Sequence, residues 1–187
     1  ASAVKVRTDE QFLMASHLNP DDSRLHYKIA VTYFRESHWD NAIKQLNLAL
    51  KNHKNQPEYN LLMGECLQKK GQLSEAIHAF MAVIKSKPKN VSGREALIEC
   101  LIEGKYYDEA FEQCQAALEA TGQNPAFLYL ASAAMFLGGK HRDALLQLEN
   151  ALSKQPKGFK KMLELVPGIL GRPQVPELVN RYLKKRK

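Results

Sequence analysis

Residues 57–90 read PEYNLLMGECLQKKGQLSEAIHAFMAVIKSKPKN, and this stretch decides the fold. Pro57 opens it, Gly71 divides it and Pro88 closes it, so two helical segments flank one turn. Ala76 in the second segment has counterparts at Ala42, Ala110 and Ala144, each 34 residues from the next. Seven residues beyond these alanines stand Ala49, Val83, Ala117 and Ala151, followed by Leu50, Ile84, Leu118 and Leu152. Cutting at this period gives repeats 23–56, 57–90, 91–124 and 125–158, with no insertion or deletion. A fixed period of this length marks a stack of like supersecondary units.

Each repeated choice has a physical reason. A small residue in the first helix (Ala30, Gly64, Ser132) and the alanine in the second allow close packing, with axes ~8–10 Å apart. Larger apolar residues recur at i, i+3, i+4 and i+7 and give each helix a core-facing stripe. Gly71 and Gly139 suit a helix C-cap that needs positive φ, and Pro88 and Pro156 stop the second helices. The third repeat departs from the pattern: Ile98 fills the small place and Cys114 a place held elsewhere by Phe80. An outward shift of its partner helix or a loosened third repeat is the expectation there.

Place by place, the pattern resembles the tetratricopeptide repeat family, which favours W-x2-L-G-x2-Y in the first helix, A-x3-F in the second and Pro near the end. The second repeat matches through Asn60, Met63-Gly64, Leu67, Ala76, Phe80, Val83 and Pro88. The first matches through His26, Ile29-Ala30, Tyr33, Trp39, Ala42, Leu46 and Ala49, and the fourth through Leu128, Ala131-Ser132, Met135, Ala144, Leu148, Ala151 and Pro156. The register covers 136 of 187 residues. The resemblance implies an all-α fold, an α-α superhelix or solenoid of four full repeats. An N-terminal half-repeat and C-terminal capping helices complete it.

The ends follow from the same count. In residues 1–22, Phe12, Ala15 and Pro20 occupy the Phe, Ala and Pro places of a preceding repeat whose first helix is missing. Residues 5–18 therefore look like the second helix of a truncated repeat, either a cap or the edge of a longer array. Such a half-repeat leaves an apolar face through which two copies could pair. In residues 159–187 the stripe Phe159, Leu163 and Val166 suits a cap over the last repeat, and Leu178, Val179, Tyr182 and Leu183 suit a final amphipathic helix.

Composition narrows the function. The hydrophobic share of 44% and charged share of 25% are those of an ordinary globular chain. No 18-residue apolar run occurs, so no membrane span is read. Cys66, Cys100 and Cys114 are odd in number and lack CxxC spacing, which argues against disulfides and zinc and favours a reducing cytoplasm. The net charge of +7 is one-sided: residues 154–187 hold ten basic and two acidic side chains, a balance of +8, against −1 for the rest.

No residues offer catalysis, a cofactor or a metal site. There is no glycine-rich phosphate loop, no GxSxG and no HExxH. His17, His26, His38, His53, His78 and His141 read as turn, helix-end or exposed positions, and none forms an i, i+4 pair.

The family binds peptides or helices along a groove lined by its first helices. Carried over place by place, that lining comprises Tyr27, Val31 and Phe34; Glu58, Leu61 and Glu65; Glu95, Glu99 and Ile102; and Tyr129, Ala133 and Phe136. Its middle is acidic and its ends aromatic, which implies a protein or peptide partner that is basic centrally and apolar at its ends. Family members that dock the acidic tails of cytosolic heat-shock chaperones use Lys and Asn where Tyr27 and Val31 stand here, so that ligand is not expected. The alternative is anionic-surface binding, to nucleic acid or lipid headgroups, through the basic C-terminal segment. The absence of a recognisable nucleic-acid motif argues against nucleic acid.

Overall fold

Why the repeats close as they do is visible at Gly64. A Cβ built there would lie 2.4 Å from the Phe80 ring, so opposite that ring only glycine fits without a shift. The computed structural model describes Met14 and residues 21–183, and among them the chain is helical without strands. The helices are α1 Ser23–Arg35, α2 Trp39–Asn52, α3 Pro57–Lys69, α4 Leu73–Ser86, α5 Val91–Glu103, α6 Tyr107–Ala120, α7 Pro125–Leu137, α8 His141–Lys154, α9 Phe159–Leu165 and α10 Val175–Leu183. The first eight fall in pairs on the four 34-residue repeats. The truncated-repeat helix expected over residues 5–18 lies outside the described residues except for Met14, and so does the tail Lys184–Lys187.

The chain divides into two compact halves, Ala1–Gly93 and Arg94–Lys187. In the first half, Asp22 caps α1 by accepting from the backbone N–H groups of Arg24 (2.9 Å) and Leu25 (3.1 Å). Pro57 opens α3, where its missing N–H would have no intrahelical partner. Ala30, Ala42, Leu46, Ala49, Met63 and Cys66 form one buried cluster that joins α1, α2 and α3. Lys70 in the turn after α3 pairs with Asp40 of α2, and the second half repeats the device where Lys140 pairs with Asp108 at 2.6 Å.

In the second half the small place of the fourth repeat is polar, and Ser132 Oγ donates to the Ala144 carbonyl at 2.8 Å. Ile98 and Cys114 are both completely buried, as are Gly64's counterpart Ala30 and the ring of Phe80. In this repeat the larger side chain of the pair stands on the first helix and the smaller on the second, the reverse of Gly64 with Phe80.

Two further departures concern polar residues. The place that family members give to Trp holds His26, Asn60 and Arg94 in the first three repeats, and all three are buried. Asn60 Nδ2 donates to the carbonyls of Lys54 (2.9 Å) and Gln56 (3.0 Å). His26 Nδ1 lies 2.7 Å from Gln45 Oε1, so its assignment to an exposed or turn position is corrected: it is a core histidine with a hydrogen-bond partner. The turn between paired helices is left-handed in all four repeats, at Ser37, Gly71, Lys105 and Gly139 (φ 62°, 74°, 64° and 82°). Backbone geometry is thus constant where residue type is not.

Past Gly158 the 34-residue count continues. Met162, Leu165, Val166 and Ile169 stand at the places of Leu128, Ala131, Ser132 and Met135, and Leu178 and Tyr182 at those of Ala144 and Leu148. Helices α9 and α10 carry this register on, interrupted at Pro167-Gly168, where Gly168 has φ 80°; α10 packs on α8 and on the 3-10 turn Ile169–Gly171. Met162, Ile169 and Val175 are fully buried. Tyr182 donates to Glu149 at 3.2 Å and holds α10 on α8.

Candidate functional site

Helices α1 and α3 supply the first half of the lining. Position within the helix decides what each side chain meets: places five and nine of every repeat lie one turn apart on one face. In the first two repeats these places hold Tyr27 with Val31 and Leu61 with Glu65, all half-buried. The Tyr27 ring stacks on Tyr59 with centroids 4.8 Å apart and planes at 27°. Phe34, also half-buried, meets Trp39 edge-on at 5.1 Å.

The carboxylates differ in their surroundings. Glu58 is exposed, pairs with Lys87 at 3.0 Å, and is held below its ordinary pKa first by its own helix-terminal N–H and then by that lysine. Glu65 is pushed upward by burial, with Lys69 one turn away opposing. Tyr27 is raised by its own burial and then by the negative charges of Glu58 and Glu65, which places all three in one electrostatic neighbourhood.

Helices α5 and α7 supply the second half. Glu95 and Glu99 are half-buried one turn apart. Burial raises Glu95, the charge of Glu99 raises it further, and Lys161 opposes. Lys161 reaches back from α9 and sets its ammonium 2.7 Å from Glu99. Ile102, Tyr129, Ala133 and Phe136, also expected to line a groove, are buried in the interior. Tyr129 shows how: its hydroxyl donates to the Gln155 carbonyl at 2.7 Å, and a Cβ on Gly158 would lie 2.4 Å from its ring. A cleft of about 210 Å³ remains among Glu95, Ala126, Tyr129 and Lys161.

Of the twelve expected positions, the six in the first half thus stay at the surface. In the second half only Glu95 and Glu99 do, and Lys161 sits on them. The sequence reading missed Lys161. Its signal was the continued count, which puts Met162 at the place of Leu128 and so turns the start of α9 towards the array.

Nucleophilic chemistry finds no footing in the thiols. Cys66, Cys100 and Cys114 are buried and form no disulfide, and burial pushes Cys66 up to about 12, Cys100 up to about 11 and Cys114 higher still. Among the described residues no three His, Cys, Asp or Glu side chains could together hold a metal ion, and no helix is long and apolar enough to cross a membrane.

A family model described as tetratricopeptide repeat matches residues 6–165. No curated protein sequence matches the chain. Among solved structures the chain is similar to MamA protein, with TM-score 0.75 and 17% identity over 89% of this chain and 91% of that one. It is also similar to YrrB, described as a TPR protein with an unusual peptide-binding site, with TM-score 0.71 and 19% identity over 83% of this chain and 80% of that one. At such identities the likeness is one of fold.

Proposed function

This chain belongs to the tetratricopeptide repeat family, and from that premise we propose that it is a non-catalytic scaffold that binds a peptide or helix of a partner protein. The segment it takes is basic and apolar, and it lies on the first helices of the repeats. The observation that carries this reading is the partial exposure of Tyr27, Val31, Leu61 and Glu65. These residues stay half-exposed on α1 and α3, while their repeat equivalents Tyr129 and Ala133 are buried. Half-exposed aromatic and aliphatic side chains beside a carboxylate suit an amphipathic ligand. The peptide-binding site ascribed to YrrB is consistent with a ligand of this kind.

The test compares wild type with the Tyr27→Ala, Leu61→Ala double variant as bait in its native lysate. Loss of the retained partner by a variant that still unfolds cooperatively, at a somewhat lower melting temperature because the Tyr27–Tyr59 stack is gone, is the expected result. Identical capture by both baits would remove these side chains from consideration.

The competing reading places anionic surfaces on the C-terminal segment. Lys161 and Arg181 are already engaged with Glu99 (2.7 Å) and Glu149 (3.4 Å), which counts against it. Failure to bind heparin at low salt would end it. Self-association through residues 1–22 belongs to the same proposal and is read by light scattering across concentration.

A further inference from the structure

Glu65 and Glu99 occupy the same place in successive repeats, 34 residues apart, and both are half-buried carboxylates on a first helix. Their partners differ. Glu99 holds the Lys161 ammonium at 2.7 Å. Among the described residues Glu65 makes no ion pair; Lys69, one turn on along its own helix, is the opposing charge that acts on it through space. The residue 34 places before Lys161 is Phe127, which is completely buried, so the preceding repeat carries no lysine at that place.

We propose that Glu65 is the seat for a Lys or Arg side chain of the bound segment, and that the Lys161–Glu99 pair is the chain's own copy of that contact. The inference rests on the scaffold reading above and adds which atom recognises which chemistry. A carboxylate half withdrawn from water without an ion pair is unfavourable in the free protein, and an arriving ammonium or guanidinium reduces that penalty. Tyr27, which feels the Glu65 charge, and Leu61, one turn before it on α3, give the stem of the basic side chain an apolar floor.

The internal copy also defines the flanking pattern. Lys161 is presented with Phe159 two residues before it and Met162 directly after it, both buried. The segment recognised at Glu65 accordingly carries an apolar residue close on either side of its basic one. A carboxylate at Glu65 is then a concession of stability to recognition, because a neutral side chain of the same shape would suit the unliganded protein better.

The experiment selects phage-displayed random dodecapeptides on the full chain and on its Glu65→Gln variant. Expected on wild type is a consensus with Lys or Arg between apolar residues. A synthetic peptide of that consensus should bind Glu65→Gln about tenfold or more weakly, while the variant melts no lower than wild type, which shows that it is folded. Enrichment of peptides without a basic residue, or equal affinity for both proteins, overturns the role of Glu65 and leaves the scaffold reading standing. Enrichment of no peptide on wild type overturns both.

Discussion

The Lys161 ammonium lies 2.7 Å from the Glu99 carboxylate, so α9, which follows the fourth repeat, is tied to the first helix of the third. Lys161 is 39% and Glu99 29% exposed, and water screens the pair. A double-mutant cycle with Lys161→Ala and Glu99→Gln should return a coupling of about 0.5–1 kcal/mol. That coupling should shrink in about 1 M salt, where the Debye length is ~3 Å. A coupling near zero at low salt would mean that α9 is held by its apolar contacts alone.

Glu65 makes stability depend on pH in a direction that can be worked out. Burial raises its pKa above the ordinary 4.5, so the folded state binds its proton more tightly than the unfolded chain does. Stability from this group is fully present below 4.5 and is lost as pH rises through the raised value. Glu65→Gln should therefore match wild type in acid and exceed it in melting temperature at pH 7. Thermal scans at the two pH values check it.

Gly64→Ala should destabilise despite alanine's better helix propensity of about 1 kcal/mol. The new methyl meets the buried Phe80 ring, and overpacking costs about 1–3 kcal/mol. Adding Phe80→Leu should restore stability, because the first repeat already pairs Ala30 with Leu46 in these two places. Urea titration of the single and double variants reads both effects.

Gly158→Ala should cost about 1–3 kcal/mol by the same mechanism, since its methyl would press on the fully buried Tyr129 ring. The loss should also weaken the hydrogen bond from Tyr129 to Gln155 and loosen α9. Faster amide hydrogen exchange over residues 156–166 is the measurement.

Lys105→Gly should raise stability by a few tenths to about 1 kcal/mol, because Lys105 holds φ 64° in a turn where two other repeats use glycine. A lower melting temperature would indicate that the lysine side chain makes a compensating contact.

How much of this was legible beforehand follows from what repeats. The 34-residue period gave the helix pairs and their small places, because Ala42, Ala76, Ala110 and Ala144 answer to one packing rule wherever they occur. Exposure was less legible. Tyr27 and Tyr129 share a place, yet one stays half-exposed while the other is sealed by Gln155 and Gly158, a difference made by residues 26 and 29 positions further on. The buried His26 was misjudged for a related reason: a polar residue at the Trp place is hidden only when a partner such as Gln45 satisfies it, and sequence spacing does not announce that partner.

The exchange of bulk between Gly64 with Phe80 and Ile98 with Cys114 bears on how such a chain can be rearranged. Recombination that moves a whole 34-residue repeat carries a matched pair of helices with it. A crossover in the turn between the two helices does not. It would join the Gly64 helix to the Cys114 helix and leave a hollow, or the Ile98 helix to the Phe80 helix and leave no room. The heritable module in this protein is therefore the helix pair, and its single helices are not spare parts.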